Sequence, residues 1–307
     1  VVSLTEIRFG IHLPNGGFSD QAFSQLQDLV VEAERLGYAS VWAADHLIYP
    51  ETLGPPNIYE PLVSLAAFSA VTHRILLGSA VLLPLRHPLA VANMVTTIDH
   101  ASKGRIMLGV GVGWFKPEFD ASNVPFTERG KVQEEAVRLI KELWTKPKVD
   151  FEGKYFKLRE GYVNPKPIQK PHPPIWFGGA ASQTFPRLVR LGDGWIPWCP
   201  SLEAFEQGVK TIRKLIACLG GSFSKLQLAP DILVCIKPSD AEAKQTASSV
   251  GLDEKTSIIG DPTGVAERIK QYVNLGATHV ILGFRPLGEE LEGMRLVADE
   301  VFPRLTS

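Results

Sequence analysis

The sequence is poor in cysteine, almost neutral in charge and free of long hydrophobic runs. Its three cysteines, Cys199, Cys218 and Cys235, are odd in number and form no CxxC pair. This argues against a disulfide framework or a structural zinc site, and makes a reducing cytoplasm the expected compartment. No N-terminal segment joins basic residues, an apolar run and a small-residue cleavage site, in keeping with that compartment. Lysine and arginine number 32 against 33 for aspartate and glutamate, a net charge of −1. Such a balance leaves no electrostatic footprint for nucleic acid or an anionic membrane, so neither is an expected partner. The most apolar stretch, Ile75 to Leu85, is interrupted by Gly78, Ser79 and Pro84 and is too short to span a bilayer.

Several chemistries are also missing. The seven histidines are scattered, with no HxH, HxxxH or HExxH, so no metal site is expected. No GxSxG elbow marks a serine hydrolase. A glycosidase needs two carboxylates at strand ends; Asp45 is one candidate, but Glu118 lies well past the fourth expected strand. These gaps weigh against hydrolysis and toward a cofactor that carries the difficult chemistry.

What is present is an ordinary globular composition, 45% hydrophobic and 21% charged over 307 residues. Short apolar runs alternate with amphipathic ones. Strands are expected at Ile7 to Leu13, Ser40 to Ala43, Ile75 to Leu82, Arg105 to Gly111, Pro174 to Phe177, Gly194 to Pro197, Leu226 to Ile236 and Thr278 to Phe284. Helices are expected after Ser19 or Asp20, over Pro61 to Val71 and Pro88 to Ala101, and over Thr127 to Trp144. In the last of these, Lys131, Glu134, Glu135 and Lys141 face outward. Further helices are expected at Ala181 to Leu191, Ser201 to Leu219, Asp261 to Leu275 and Glu289 to Val301, with a crossover at Ala241 to Ser257. Eight apolar strands separated by helices pair in parallel with both faces covered. The expected fold is therefore α/β, a (β/α)8 TIM barrel, with a doubly wound open sheet as the alternative. The whole of 1–307 reads as one barrel domain. Six prolines and the motif FEGKYFKL mark an insertion at about 147–174 that suits a short hairpin.

A barrel places its active site in the loops after the strand C-termini. Asp45-His46 closes the second strand: an imidazole there exchanges protons near neutral pH, and a neighbouring carboxylate can fix its tautomer. A surface turn pair is the plain alternative. Gly109-Val110-Gly111-Val112-Gly113-Trp114 has GxGxG spacing, and the next expected helix starts far downstream, so it is not a Rossmann fingerprint. Its glycines either admit a flat ligand to the backbone or serve tight packing. Gly178-Gly179-Ala180 precedes a helix, where amides and the dipole favour a phosphate; an ordinary turn is the alternative. Trp42, Trp114, Trp195 and Trp198 all fall near expected strand C-termini, which suits an aromatic-walled pocket, although tryptophans commonly fill cores.

Taken in order, IRFGIHLPNGG (7–17), LGYASVWAADHL (36–47), ILLGSAVLLPLRHP (75–88), ASKGRIMLGVGVGW (101–114), FTERGKVQEEAVRLIKELW (126–144), PPIWFGGAAS (173–182), LGDGWIPW (191–198) and LGATHVILGF (275–284) resemble the bacterial luciferase-like monooxygenase superfamily. The Asp-His pair is closer to its coenzyme F420 (5-deazaflavin) branch than to its FMN branch. The resemblance implies a luciferase-like barrel with the cofactor ring at the strand C-termini. It implies catalytic roles for His46 and Asp45, with Asp45 orienting His46 or touching the coenzyme. It implies cofactor contacts from Ser79, Ala80, Val81, Gly111, Val112 and Gly113, and phosphate contacts from Gly178, Gly179 and Ala180. Relatives often carry a cis peptide at the end of the third strand, which by position maps to Ala80-Val81. Sugar-phosphate dehydrogenases of this branch follow GxGxG with a glutamate, and here that position is Trp114. An apolar or aromatic small-molecule substrate is therefore expected, oxidised or reduced by hydride transfer, because carbon at position 5 does not activate oxygen as a flavin does. An FMN-dependent two-component monooxygenase and a non-catalytic flavin-binding barrel are the alternatives. Barrels of this family often dimerise, so a homodimer is expected by analogy.

Overall fold

Twelve strands and eleven α-helices appear among the described residues, nearly all where the apolar rhythm places them. The computed structural model describes residues 7–17, 22–55, 57–220 and 222–306. In chain order the first half holds β1 (Arg8–His12), α1 (Phe23–Arg35), β2 (Ser40–Ala43), α2 (Pro61–Val71), β3 (Leu76–Ser79), α3 (Pro88–Ala101) and β4 (Ile106–Val110). Then come α4 (Lys116–Ala121), α5 (Arg129–Thr145), β5 (Val149–Glu152), β6 (Lys157–Gly161), β7 (Ile175–Gly178) and α6 (Thr184–Leu191). The remainder is β8 (Gly194–Ile196), α7 (Leu202–Cys218), β9 (Gln227–Leu228), β10 (Asp231–Ile236), α8 (Asp240–Ser249) and β11 (Ser257–Gly260). It ends with α9 (Pro262–Asn274), β12 (His279–Phe284), α10 (Glu290–Leu296) and, after a π turn, α11 (Phe302–Thr306).

The departures from expectation have local causes. The single strand expected over Leu226 to Ile236 is split into β9 and β10 at Ala229-Pro230, because proline has no N–H for the ladder. The crossover expected at Ala241 to Ser257 is α8, and Ser257 opens the additional strand β11, which pairs in parallel with β10. The third strand stops at Ser79. The helix cap expected from Ser19 or Asp20 lies outside the described residues.

The chain divides into two compact units. The first comprises Val1–Pro14, Gln21–Trp42 and Gly194–Ser307. Its strands run in parallel in the order β11-β10-β12-β1-β2, with β8 and β9 paired separately. Its core is aromatic: Trp195 stacks on Phe205 with centroids 5.4 Å apart, and Tyr272 meets Phe205 edge-on. Gly208 leaves the room that Trp195 fills. A polar thread crosses this core. The Trp42 indole N–H donates to Ser40 Oγ, which lies 2.7 Å from His279 Nε2. With Oγ accepting from the indole, its own proton is left for Nε2, which a neutral imidazole accepts and a protonated one does not. Burial, with a smaller contribution from Arg8, lowers the His279 pKa to about 3.

The second unit comprises Asn15–Asp20 and Ala43–Asp193. Strands β3, β4 and β7 pair in parallel, and β5 and β6 form an antiparallel hairpin, as the insertion motif suggests. The hairpin turn is anchored by Glu135 of α5, which accepts from the amides of Lys154, Tyr155 and Phe156. Glu135 was expected on the outer face of its helix and is instead buried, because those three amides need an acceptor. No helix among the described residues is long and apolar enough to cross a membrane.

His279 makes stability depend on pH. Between about 6.5, the ordinary histidine value, and 3, the unfolded chain binds a proton that the folded chain does not. Its contribution is complete above about pH 6.5 and is lost as pH falls, by at most ~1.4 kcal/mol per pH unit for one proton. Denaturant unfolding at pH 7 and pH 5 should show a smaller loss in His279→Gln than in the parent; equal losses refute the assignment.

Candidate active site

All the chemistry-bearing candidates of the β2, β3, β4 and β7 loops fall in the second unit, and buried side chains fix their backbone. Asn15 is a clamp: Nδ2 donates to the carbonyls of Ala44 and Tyr59, and Oδ1 accepts from the Ala44 amide. Asp45 is buried and fully engaged. Its carboxylate accepts from the Leu83 amide at 2.8 Å and from Arg86 bidentately at 2.7 and 2.8 Å. Arg86 also pairs with Glu60 at 2.9 Å, and Glu60 in turn caps α2. Burial opposes the charge on Arg86, but the pairing with Asp45 and Glu60 outweighs it and raises its pKa.

Asp45 does not orient His46. That partner is Glu118 of α4. His46 Nδ1 lies 3.0 Å from Glu118 Oε2, and Glu118 Oε1 accepts from the amides of Leu47 at 2.6 Å and Ile48 at 3.2 Å. The Glu118 side chain is fully buried and that of His46 is 12% exposed. Both carboxylate oxygens act as acceptors, so Nδ1 carries the ring proton and Nε2 is the open position. No hydrogen bond to Nε2 exists among the described residues. The ring stands edge-on to Tyr49 and Trp114, with centroids 5.7 and 6.1 Å away. Trp114 is 54% exposed, and Leu47 and Ile48 expose their side chains beside it. The arrangement is an imidazole nitrogen, without a hydrogen-bond partner among the described residues, rimmed by apolar surface.

Sequence reading weighed Glu118 only as a glycosidase carboxylate, and its pairing with His46 escaped because α4 is six residues long, too short for a periodic signal. Its one local mark is Pro117 in the first turn, a helix-start residue.

The cis peptide expected by resemblance is present at Ala80-Val81. The glycines around it serve close packing. A Cβ on Gly109 would strike the Ser79 carbonyl, one on Gly111 would strike Val81, and one on Gly178 would come within 2.8 Å of Val81. The three glycines thus form the seat for Val81. Ser79 Oγ donates to the Gly109 carbonyl and is fully buried, so that hydroxyl is spent on the fold. Val112 and Gly113 are half-buried. Gly113, at φ +69°, turns its carbonyl to accept from Arg129. The Gly178-Gly179-Ala180 turn runs from the buried end of β7 into an exposed loop, where Gly179 has φ +91°. Gln183 gives the start of α6 no side-chain cap.

Of the four tryptophans expected to wall a pocket, Trp42 and Trp195 do not: both are completely buried in the core of the first unit. Trp114 stands beside His46. Trp198 belongs to the first unit, where its half-exposed ring meets His12. Among the described residues, no group of three or more histidine, cysteine or acidic side chains has metal-holding geometry.

Three substitutions test this geometry. Glu118→Gln places an amide donor against Nδ1 and should move the His46 proton to Nε2, read from the ring ¹⁵N shifts; an unchanged tautomer refutes the Glu118 assignment. Gly111→Ala should cost ~1–3 kcal/mol by overpacking against Val81, and Val81→Ala should recover much of that loss. Additive losses in urea unfolding would show that the two do not meet.

The model of the luciferase-like monooxygenase family matches residues 2–253. An uncharacterized protein of Mycobacterium tuberculosis is 37% identical over 163 residues, which cover 52% of this chain and 57% of that protein. The match thus spans little more than half of that relative's length. The F420-dependent glucose-6-phosphate dehydrogenase of Kineococcus radiotolerans is 29% identical over 295 residues, 84% of this chain and 86% of that one. The FMNH2-dependent dimethylsulfone monooxygenase of Pseudomonas putida is 26% identical over 304 residues, 85% of this chain and 82% of that one. Among solved structures, the coenzyme F420-dependent tetrahydromethanopterin reductase of Methanopyrus kandleri superposes with a TM-score of 0.82 at 23% identity, over 97% of this chain and 99% of that one. The shared fold is the luciferase-like (β/α)8 barrel and sets aside the open sheet. With the family model matching most of its length, the chain belongs to the luciferase-like monooxygenase family.

Proposed function

We propose that the protein is an F420-dependent oxidoreductase that moves a hydride between the deazaflavin and an apolar or aromatic organic substrate. The observation that carries this reading is His46: its Nδ1 is held by buried Glu118 and its Nε2 opens beside exposed Trp114. The residues present fit a flavin-type group. The exposed turn at Gly179 and Ala180 leads to a helix start without a side-chain cap, which suits a phosphate. The deazaflavin supplies the carbon that accepts or donates hydride. His46 gives or takes the accompanying proton at Nε2, and Glu118 stabilises the ring when it is protonated. Leu47, Ile48 and Trp114 bind apolar groups and exclude water. Asp45 acts through Leu83 and Arg86 to hold the loop.

The F420-dependent sugar-phosphate relative supports the cofactor but not its substrate, since Trp114 offers a phosphorylated sugar no charge. The second reading is an FMN-dependent monooxygenase fed by a reductase, favoured by the Pseudomonas putida relative named for FMNH2.

Titration with coenzyme F420 and, separately, FMN, followed by cofactor fluorescence, tests the choice. Deazaflavin should bind more tightly, and His46→Ala should then cut turnover by ~10²–10⁴ while leaving cofactor affinity in place. Preference for FMN turns the case to oxygen chemistry, and unchanged turnover removes His46 from the reaction.

A further inference from the structure

Helix α5 turns an amide side chain into an apolar layer of the second unit. Gln133 is 3% exposed and lines a cavity of about 30 Å³ between β4 and the helices α3 and α5. Val110 of β4, Val91 of α3 and Val137 of α5 are among its apolar walls. Gln133 Nε2 is buried and has no hydrogen-bond partner among the described residues. A buried donor left unpaired carries its full desolvation cost, so native folds almost always supply a partner. If packing alone were at stake, leucine or methionine would fill this place with no polar group to desolvate.

The wall opposite the helices supplies further polar groups. Leu83 and Pro84 line the cavity and are buried, and their carbonyls accept no hydrogen bond among the described residues. Arg86 lines it too: its two Nη atoms are committed to Asp45 and Glu60, and its Nε makes no hydrogen bond among the described residues. Donors from Gln133 and Arg86 and acceptors from Leu83 and Pro84 amount to the two to four partners that an internal water takes.

Size narrows the occupant. A water needs ~10–15 Å³ of such space, so one or two fit, and a ring or an alkyl chain does not. Charge narrows it as well. A cation would meet the Arg86 guanidinium, and an anion would exchange its hydration for mostly apolar walls.

We propose that Gln133 and this cavity form an internal water site. The bound water accepts from Gln133 Nε2 and donates to the main-chain carbonyls of Leu83 and Pro84. It ties α5 to the segment that grips Asp45, since the Leu83 amide and the Arg86 guanidinium both bind that carboxylate. A bridging water is enthalpically nearly as good as a direct hydrogen bond, so the link holds across a gap that the side chain does not close by itself.

The test is a water–protein NOE measurement on ¹⁵N-glutamine-labelled protein. Gln133→Met keeps the volume and removes the amide, so it identifies the Gln133 side-chain signals by their loss. In the parent those amide protons should show NOE and ROE cross-peaks to water of opposite sign, the mark of a long-lived bound water and not of proton exchange. A high-resolution crystal structure of the parent should place a density peak within hydrogen-bond distance of the Gln133 amide, and crystals of Gln133→Met should lack it with the Asp45–Arg86 pair still in place. Missing cross-peaks, a cavity without density, or a Gln133 amide bonded directly to a protein carbonyl overturns the proposal. A peak that persists in Gln133→Met does so too. The crystal measurement on the parent decides the matter even if Gln133→Met fails to fold.

Discussion

Buried carboxylates that accept loop amides hold the second unit's loops in place. A loop leaving a strand loses its ladder partners, and its amides must find acceptors or face water. Glu118 receives Leu47 and Ile48, Asp45 receives Leu83, Glu135 receives the hairpin turn, and Asp99 receives Ile168 and Gln169. Glu118, Glu135 and Asp99 are carried by helices, and Asp45 follows closely after β2, so the path of each loop is set from a rigid element. Asp45 adds a bidentate arginine, which spreads its charge across two hydrogen bonds and links the end of β2 to the segment before α3. His46 lies between two of these anchors, and its orientation follows from theirs.

Two histidine–carboxylate pairs, His46 with Glu118 and His12 with Asp231, obey the same logic across very different spans of chain. Glu118 is 72 residues from His46, and Asp231 is 219 from His12. In each case the carboxylate contacts Nδ1 and leaves Nε2 open. Adjacent Asp45 and His46 invite pairing on paper. At the end of an extended strand, however, neighbouring side chains point to opposite sides, so a distant residue serves better.

Much of the fold was legible because its signals are periodic. The helices Pro61–Val71 and Pro88–Ala101 begin at the prolines that mark them. The order of apolar runs foretold the parallel pairing of β1, β2 and β12 and of β3, β4 and β7. What escaped was short or non-local. Six-residue α4 carries no period, and β11 has four residues inside a polar stretch. The candidate site drew on both kinds of signal. His46 stood out by its place at a strand end, and the turn at Gly178 by its glycines. Glu118 and Arg86 act through contacts that no spacing encodes. Trp42 and Trp195 were misplaced because nearness to a strand end does not tell which face a side chain takes.

The anchoring by Glu118 separates the path of the 47–48 loop from the identity of its side chains. The carboxylate grips only main-chain N–H groups, which every residue but proline carries. Leu47, Ile48 and Trp114 point outward and carry no part of that grip. Substitutions there leave the two main-chain contacts to Glu118 in place. The loop is therefore a surface whose side chains can vary over a main chain held in place from below.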